Sequence, residues 1–108
     1  MSQFTEHGYG LVRNYIKTFT HIGLFDTTTQ IKRVADPVVS VEGNTITYTV
    51  AITNSDSTLT GKTLDAAKLF ESNTSNDAIA EVTFTPFKFE SVDDTLTIAI
   101  NIQIPALV

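Results

Sequence analysis

Two stretches of the chain, NTITYTVAITN from Asn44 to Asn54 and TLTIAINIQI from Thr95 to Ile104, alternate apolar and polar residues almost without error. Successive side chains of an extended backbone point to opposite sides. Ile46, Tyr48, Val50 and Ile52 therefore share one side of the first stretch, and Leu96, Ile98, Ile100, Ile102 and Ile104 share one side of the second. Strands of this kind need one face on a core, which confines the chain to antiparallel β architectures. Their other faces carry Thr45, Thr47, Thr49, Ala51 and Thr53, and Thr95, Thr97, Ala99, Asn101 and Gln103. Those rows are small and uncharged, and they meet water, a ligand or another chain.

The remaining runs keep the same style and are separated by turn residues. Thr20–Phe25 is expected as a first short strand, followed by a polar turn at Asp26–Thr29 and a second extended run at Gln30–Ala35. Asp36-Pro37 ends or bends that run, because proline removes a ladder donor, and Val38–Val41 is expected to continue it. Glu42-Gly43-Asn44 supplies a glycine for a hairpin into the first alternating strand. Asn54–Thr63 is a surface connection with Leu59 as its apolar anchor. Leu64–Phe70 is short enough to be a strand, although its composition also suits a helical turn. Glu71–Asp77 is a polar loop, and Ile79–Phe89 alternates until its phase slips at Pro86, where a bend or bulge is expected. Six to eight short strands predict a mainly β protein, an antiparallel β-sandwich or partly closed barrel, with strands from about residue 20 to about 105.

One segment breaks the pattern. Leu11, Val12, Tyr15, Ile16 and Phe19 recur at spacings of three and four, the period of a helical face. A short amphipathic helix is expected over about residues 8–18, as a cover on one sheet. With 108 residues the whole chain, 1–108, fits a single domain.

Charge and residue usage narrow the chemistry. The formal charge of -5 is uneven: residues 1–35 carry Arg13, Lys17, Lys32 and Arg33 against Glu6 and Asp26, and the remainder carries three lysines against ten acids. An acidic surface repels phosphates, so no nucleic-acid partner is expected, whereas opposite ends of opposite sign suit head-to-tail contact between copies. With no cysteine there is no disulfide, thiolate metal site or cysteine nucleophile. The start of the chain has no basic-then-apolar leader, and no stretch is apolar enough to span a bilayer, so synthesis in a cytoplasm and no membrane partner are expected.

Candidate catalytic groups do not assemble into a motif. His7 and His21 lack HxH or HExxH spacing, Asp93 and Asp94 are neighbours suited to a turn, and no DxDxDG, GxSxG or glycine-rich phosphate loop occurs. Tryptophan is absent, and Tyr9, Tyr15 and Tyr48 fall on helix or core positions, which leaves no obvious platform for a sugar. Asn73-Thr74-Ser75 matches a glycosylation acceptor only by composition. No enzyme activity, cofactor or metal is expected.

The order of the segments is informative where single motifs are not. Gly10-Leu-Val-Arg-Asn-Tyr-Ile16, His21-Ile-Gly-Leu24, Asn44-Thr-Ile-Thr-Tyr-Thr49, Asp65-Ala-Ala-Lys-Leu-Phe70, Val82-Thr-Phe-Thr-Pro86 and Asp93-Asp-Thr-Leu-Thr-Ile-Ala-Ile100 follow one another along nearly the whole chain. In this order they resemble the small β-rich tail and tail-fibre structural proteins of tailed bacteriophages. That family has a GLxxIRDxI-like start, an IAxG strand, an NTVTYT-like strand, an acidic-xx-GLF element, a VTFTP strand and a final DDTLTVTWTI strand. The chain departs from it at Asp26–Thr29, in place of a glycine-rich turn, at Lys68, in place of the GLF glycine, and at Ala99, in place of an aromatic.

The resemblance implies a multicopy structural component of a virion, made in the bacterial host's cytoplasm and partnered by other copies of itself and other virion proteins. A capsid decoration (cement) protein and a tip module binding a host-surface carbohydrate receptor remain open beside a tail or tail-fibre role. Thr45, Thr47, Thr49, Thr53, Thr97, Asn101 and Gln103 form the candidate assembly face. Small uncharged side chains lose little entropy on burial and need little desolvation, although threonine also suits any solvated strand face.

Overall fold

The two alternating strands pair with each other. The computed structural model describes residues 3–104, as one helix, α1 (Glu6–Ile16), and seven strands: β1 (His21–Asp26), β2 (Thr29–Ala35), β3 (Val38–Glu42), β4 (Thr45–Thr53), β5 (Thr63–Phe70), β6 (Ala80–Lys88) and β7 (Thr95–Gln103). The expected strand limit near Pro105, and the ends of the expected 1–108 domain, lie outside the described residues.

β4 and β7 run antiparallel from Thr45 opposite Gln103 to Thr53 opposite Thr95, and β3 joins the other side of β4. This register sets Ile46 against Ile102, Tyr48 against Ile100 and Val50 against Ile98 on one face. A second, four-stranded antiparallel sheet in the order β2-β1-β5-β6 supplies Ile22, Leu24, Leu64 and Leu69 from the opposite side. The inner faces, with Phe19, Leu59 and Phe89, enclose one core. The result is a β-sandwich of two open antiparallel sheets, and the alternative of a partly closed barrel is not realised.

Four local features correct or sharpen the sequence expectations. Val38–Val41 does not continue the strand before it, because the chain crosses between sheets at Asp36-Pro37 and β3 pairs with β4. Asp36 takes a positive φ of 57° there, and its N–H donates to the Thr20 carbonyl at 2.9 Å. Gly43, at φ 62°, opens the two-residue hairpin loop from β3 to β4. At Pro86 the expected slip occurs: Ala66 lies opposite Thr83 and Leu64 opposite Phe87, so Phe84, Thr85 and Pro86 stand against Asp65 alone. The 54–62 connection hangs on more than Leu59. The Asn54 side chain is wholly buried, accepts from the Leu59 N–H at 2.8 Å, and donates to Thr60 Oγ1 and the Ser91 carbonyl at 2.9 Å each.

The helix differs most from expectation. It starts two residues earlier, because the Thr5 hydroxyl caps it by accepting from the Gly8 N–H at 3.2 Å. Phe4 and Tyr9 flank the cap edge to face, with centroids 5.6 Å apart, as a hydrophobic staple. It ends at Ile16 and not near residue 18. Nor does it cover a sheet: none of its residues is buried, and Leu11 and Tyr15 are 58% and 60% exposed. It is held by its C-terminal half. Ile16 packs on the core, Arg13 donates to the Ile104 carbonyl, and the Tyr48 hydroxyl donates to the Ile16 carbonyl while accepting from the Phe19 N–H at 3.1 Å. Burial pushes the Tyr48 phenol above its ordinary pKa, against a smaller downward pull from the Phe19 N–H.

Candidate assembly surface

Antiparallel pairing puts directly opposed residues on the same side of a sheet. On the outer side of β4 and β7 the opposed pairs are Thr45 with Gln103, Thr47 with Asn101, Thr49 with Ala99, Ala51 with Thr97 and Thr53 with Thr95. All seven residues of the candidate assembly face therefore lie on one surface. β3 extends it with Val38 beside Thr49, Ser40 beside Thr47 and Glu42 beside Thr45. These thirteen outward positions include a single charged residue, Glu42. Thr45, Thr47 and Thr49, on the central strand, are half-buried by their neighbours, while Thr53, Thr97, Asn101 and Gln103 are exposed. The Thr47 hydroxyl donates to Asn101 Oδ1 at 2.9 Å, tying the two strands across the face. Val38, at the margin, is 70% exposed.

The outer side of the four-stranded sheet is built differently. Phe25, Ala66 and Phe70 form a second, separate buried cluster there. The Arg33 guanidinium stacks 3.7 Å from the centre of the Phe70 ring, and Lys68 Nζ sits 4.6 Å from that of Phe25. Arg33 also donates to Gln30 Oε1 at 2.9 Å and to the carbonyls of Ser72, Asn73 and Ser75 at 3.2, 3.1 and 2.7 Å, so it clamps the polar 71–79 loop beside the cluster. Gly23 lies between Arg33 and Lys68 in register. A Cβ on it would come within 2.6 Å of Gln30 Oε1 and 2.8 Å of the Phe25 and Phe70 rings. Sequence reasoning misses this cluster; its signal is the run of Phe25, Ala66 and Phe70 at outward positions of central strands.

The polar residues weighed for chemistry have structural surroundings. His21 lies at the start of β1 with Nδ1 2.8 Å from the Thr20 hydroxyl. The Asp94 carboxylate accepts from the N–H groups of Glu90 and Ser91 at 2.7 and 2.9 Å, and these bonds hold its pKa below the usual carboxylate value. Asp56 is held low in the same way, first by the Thr58 hydroxyl at 2.8 Å and then by the Thr58 N–H. Among the described residues no group of three or more His, Asp or Glu is placed to hold a metal ion, and no helix is long and apolar enough to cross a membrane. Compared with protein-family models, with curated proteins and with solved structures, the chain gives no match.

Proposed function

We infer that this chain is a non-enzymatic, multicopy structural component of a bacteriophage tail or tail fibre, working through protein–protein assembly. The observation that carries the reading is the outer face of β3, β4 and β7, with thirteen positions and one charge. Charged residues are depleted from the centres of protein interfaces, because each must be desolvated on contact. Small threonine and alanine side chains add little ordering entropy and let a neighbouring surface approach closely. The ordered likeness to phage tail and tail-fibre proteins supplies the biological setting.

Two experiments test this. Mass spectrometry and electron microscopy of purified virions should place many copies of the chain in the tail or its fibres. Its absence from virions overturns the reading, and density on the capsid surface replaces it with a decoration role. The variant Thr47→Lys/Thr49→Lys puts two charges at the middle of the face. It should fold with a stability within about 0.5 kcal/mol of the parent, as surface substitutions do, and fail to incorporate into particles. Normal incorporation removes this face from the assembly.

A further inference from the structure

The apolar stripe of α1 stays largely open to solvent, although Phe4 packs edge to face on Tyr9 and Tyr15 on Phe19, with centroids 5.6 and 5.5 Å apart, and the Tyr15 hydroxyl reaches Glu71 Oε2 at 3.5 Å. Phe4 lies against Gly8, at 3.4 Å from where a Cβ would stand, and Leu11 and Tyr15 follow at one-turn spacings, so the three large side chains line up along the helix. Each is close to 60% exposed. The helix is fixed through Ile16 and Arg13 at the end of the sandwich where β1 begins and β7 ends.

A complementary feature lies toward the other end of the body, which measures 51 × 25 × 24 Å. β6 and β7 are the edge strands of their respective sheets, and between them runs an open groove of about 360 Å³ lined by Val82, Phe84, Phe87, Leu96 and Ile98. Phe87 is paired with the start of β5 and Leu96 with the end of β4, away from the helix attachment. The chain's own helix is therefore at the wrong end to fill this groove. Charge matches in part: beside the Arg13–Glu6 ion pair, residues 3–20 carry Lys17, whereas residues 80–95 carry Glu90, Asp93 and Asp94 against Lys88, with Glu81 paired to Lys68.

We propose that α1 of one copy docks in the β6/β7 groove of a second copy, head to tail. An amphipathic helix laid in an apolar groove is a common recognition mode, with anchors at one-turn spacings. The contact joins two different patches, so repetition builds a ring or a filament and not a closed two-fold dimer. It leaves the β4 threonines Thr47 and Thr49 aside, although Thr97 and Ala99 of the β7 row also line the groove, and it does not rest on the virion assignment.

Complementation between variants of the full-length chain tests it, read by light scattering and sedimentation velocity over a concentration series. Leu11→Asp/Tyr15→Asp disables the helix, and Phe84→Lys disables the groove. Should Phe84→Lys fail to fold, Thr85→Trp obstructs the groove from an exposed position. The parent should assemble with rising concentration, and each variant alone should weaken assembly about tenfold or more. Mixed in equal amounts, the helix variant and the groove variant should form one-to-one dimers that grow no further, since each retains the half the other lacks. The same dimers should form when both partners also carry Thr47→Lys/Thr49→Lys. A parent that stays monomeric at millimolar concentration, a mixture that stays monomeric, or loss of assembly only in the helix variant overturns the proposal.

Discussion

The two outer faces of this sandwich are built by opposite means. On the four-stranded sheet, Phe25 and Phe70 are roofed by Lys68 and Arg33, and Arg33 binds the following loop through three carbonyls, so the face is finished from within the chain. On the three-stranded sheet the outward rows are threonine, alanine and short amides, with one hydrogen bond between Thr47 and Asn101 and a lone charge at Glu42. A face covered by its own side chains contributes stability. A face left nearly neutral, with few side chains covering it, remains open to contact.

This contrast predicts unequal sensitivity to truncation. Phe70→Ala removes a ring that is only 3% exposed and also the platform for Arg33, so it should cost about 3 kcal/mol or more. Thr49→Ala, at the centre of the other face, should change stability by no more than about 0.5 kcal/mol. Urea denaturation of the two variants beside the parent measures both. Equal losses would mean that the threonine face is as important to folding as the aromatic cluster, and the division of labour would fail.

Gly23 allows a gentler break. Adding one methyl group there places a carbon within 2.8 Å of two aromatic rings, so the cluster must rearrange, and Gly23→Ala should destabilise by about 1–3 kcal/mol despite alanine's lower backbone entropy cost. Near-ultraviolet circular dichroism of the variant should register the displaced rings. An unchanged spectrum and an unchanged denaturation midpoint would mean that the roof over the sheet is loose.

The same division governs how far the amino-acid sequence discloses the fold. β4 and β7 are legible because each buries one side only, so their alternation survives in the sequence. β5 is ambiguous for the opposite reason. Leu64, Ala67 and Leu69 face the main core while Ala66 and Phe70 are buried on the other side, and burial on both sides removes the period-two signal. The spacing of Leu11, Tyr15 and Ile16 correctly indicates a helix, but periodicity reports an apolar stripe and not the location of whatever covers it. The change of sheet at Asp36-Pro37 is likewise invisible, since a proline marks a break and carries no information about the next partner. Alternation alone assigns all members of the candidate face to one side of their strands. That β4 and β7 are neighbours, which makes two rows one surface, requires the register.

Titration separates the turns from the threonine face most finely. A depressed folded-state pKa means that the unfolded chain binds the proton more readily, so the associated stability is present above the unfolded carboxylate value, near about pH 4, and is lost as pH falls through the lower folded value. Asp94 and Asp56 meet this description, each through hydrogen bonds within its own turn. Neither carboxylate is buried, so the effect should be small: the melting temperature should decline below about pH 4, and Asp56→Asn/Asp94→Asn should flatten that decline. The threonine face, by contrast, has Glu42 as its only titratable group, at the margin, and its cross-strand bond joins a hydroxyl to an amide. Contact through that face should therefore be nearly constant between about pH 5 and about pH 8, since its thirteen positions include no histidine. Particle incorporation measured across this range decides the matter, because a strong pH dependence would point to a contact running through other, titratable groups and away from the threonine rows.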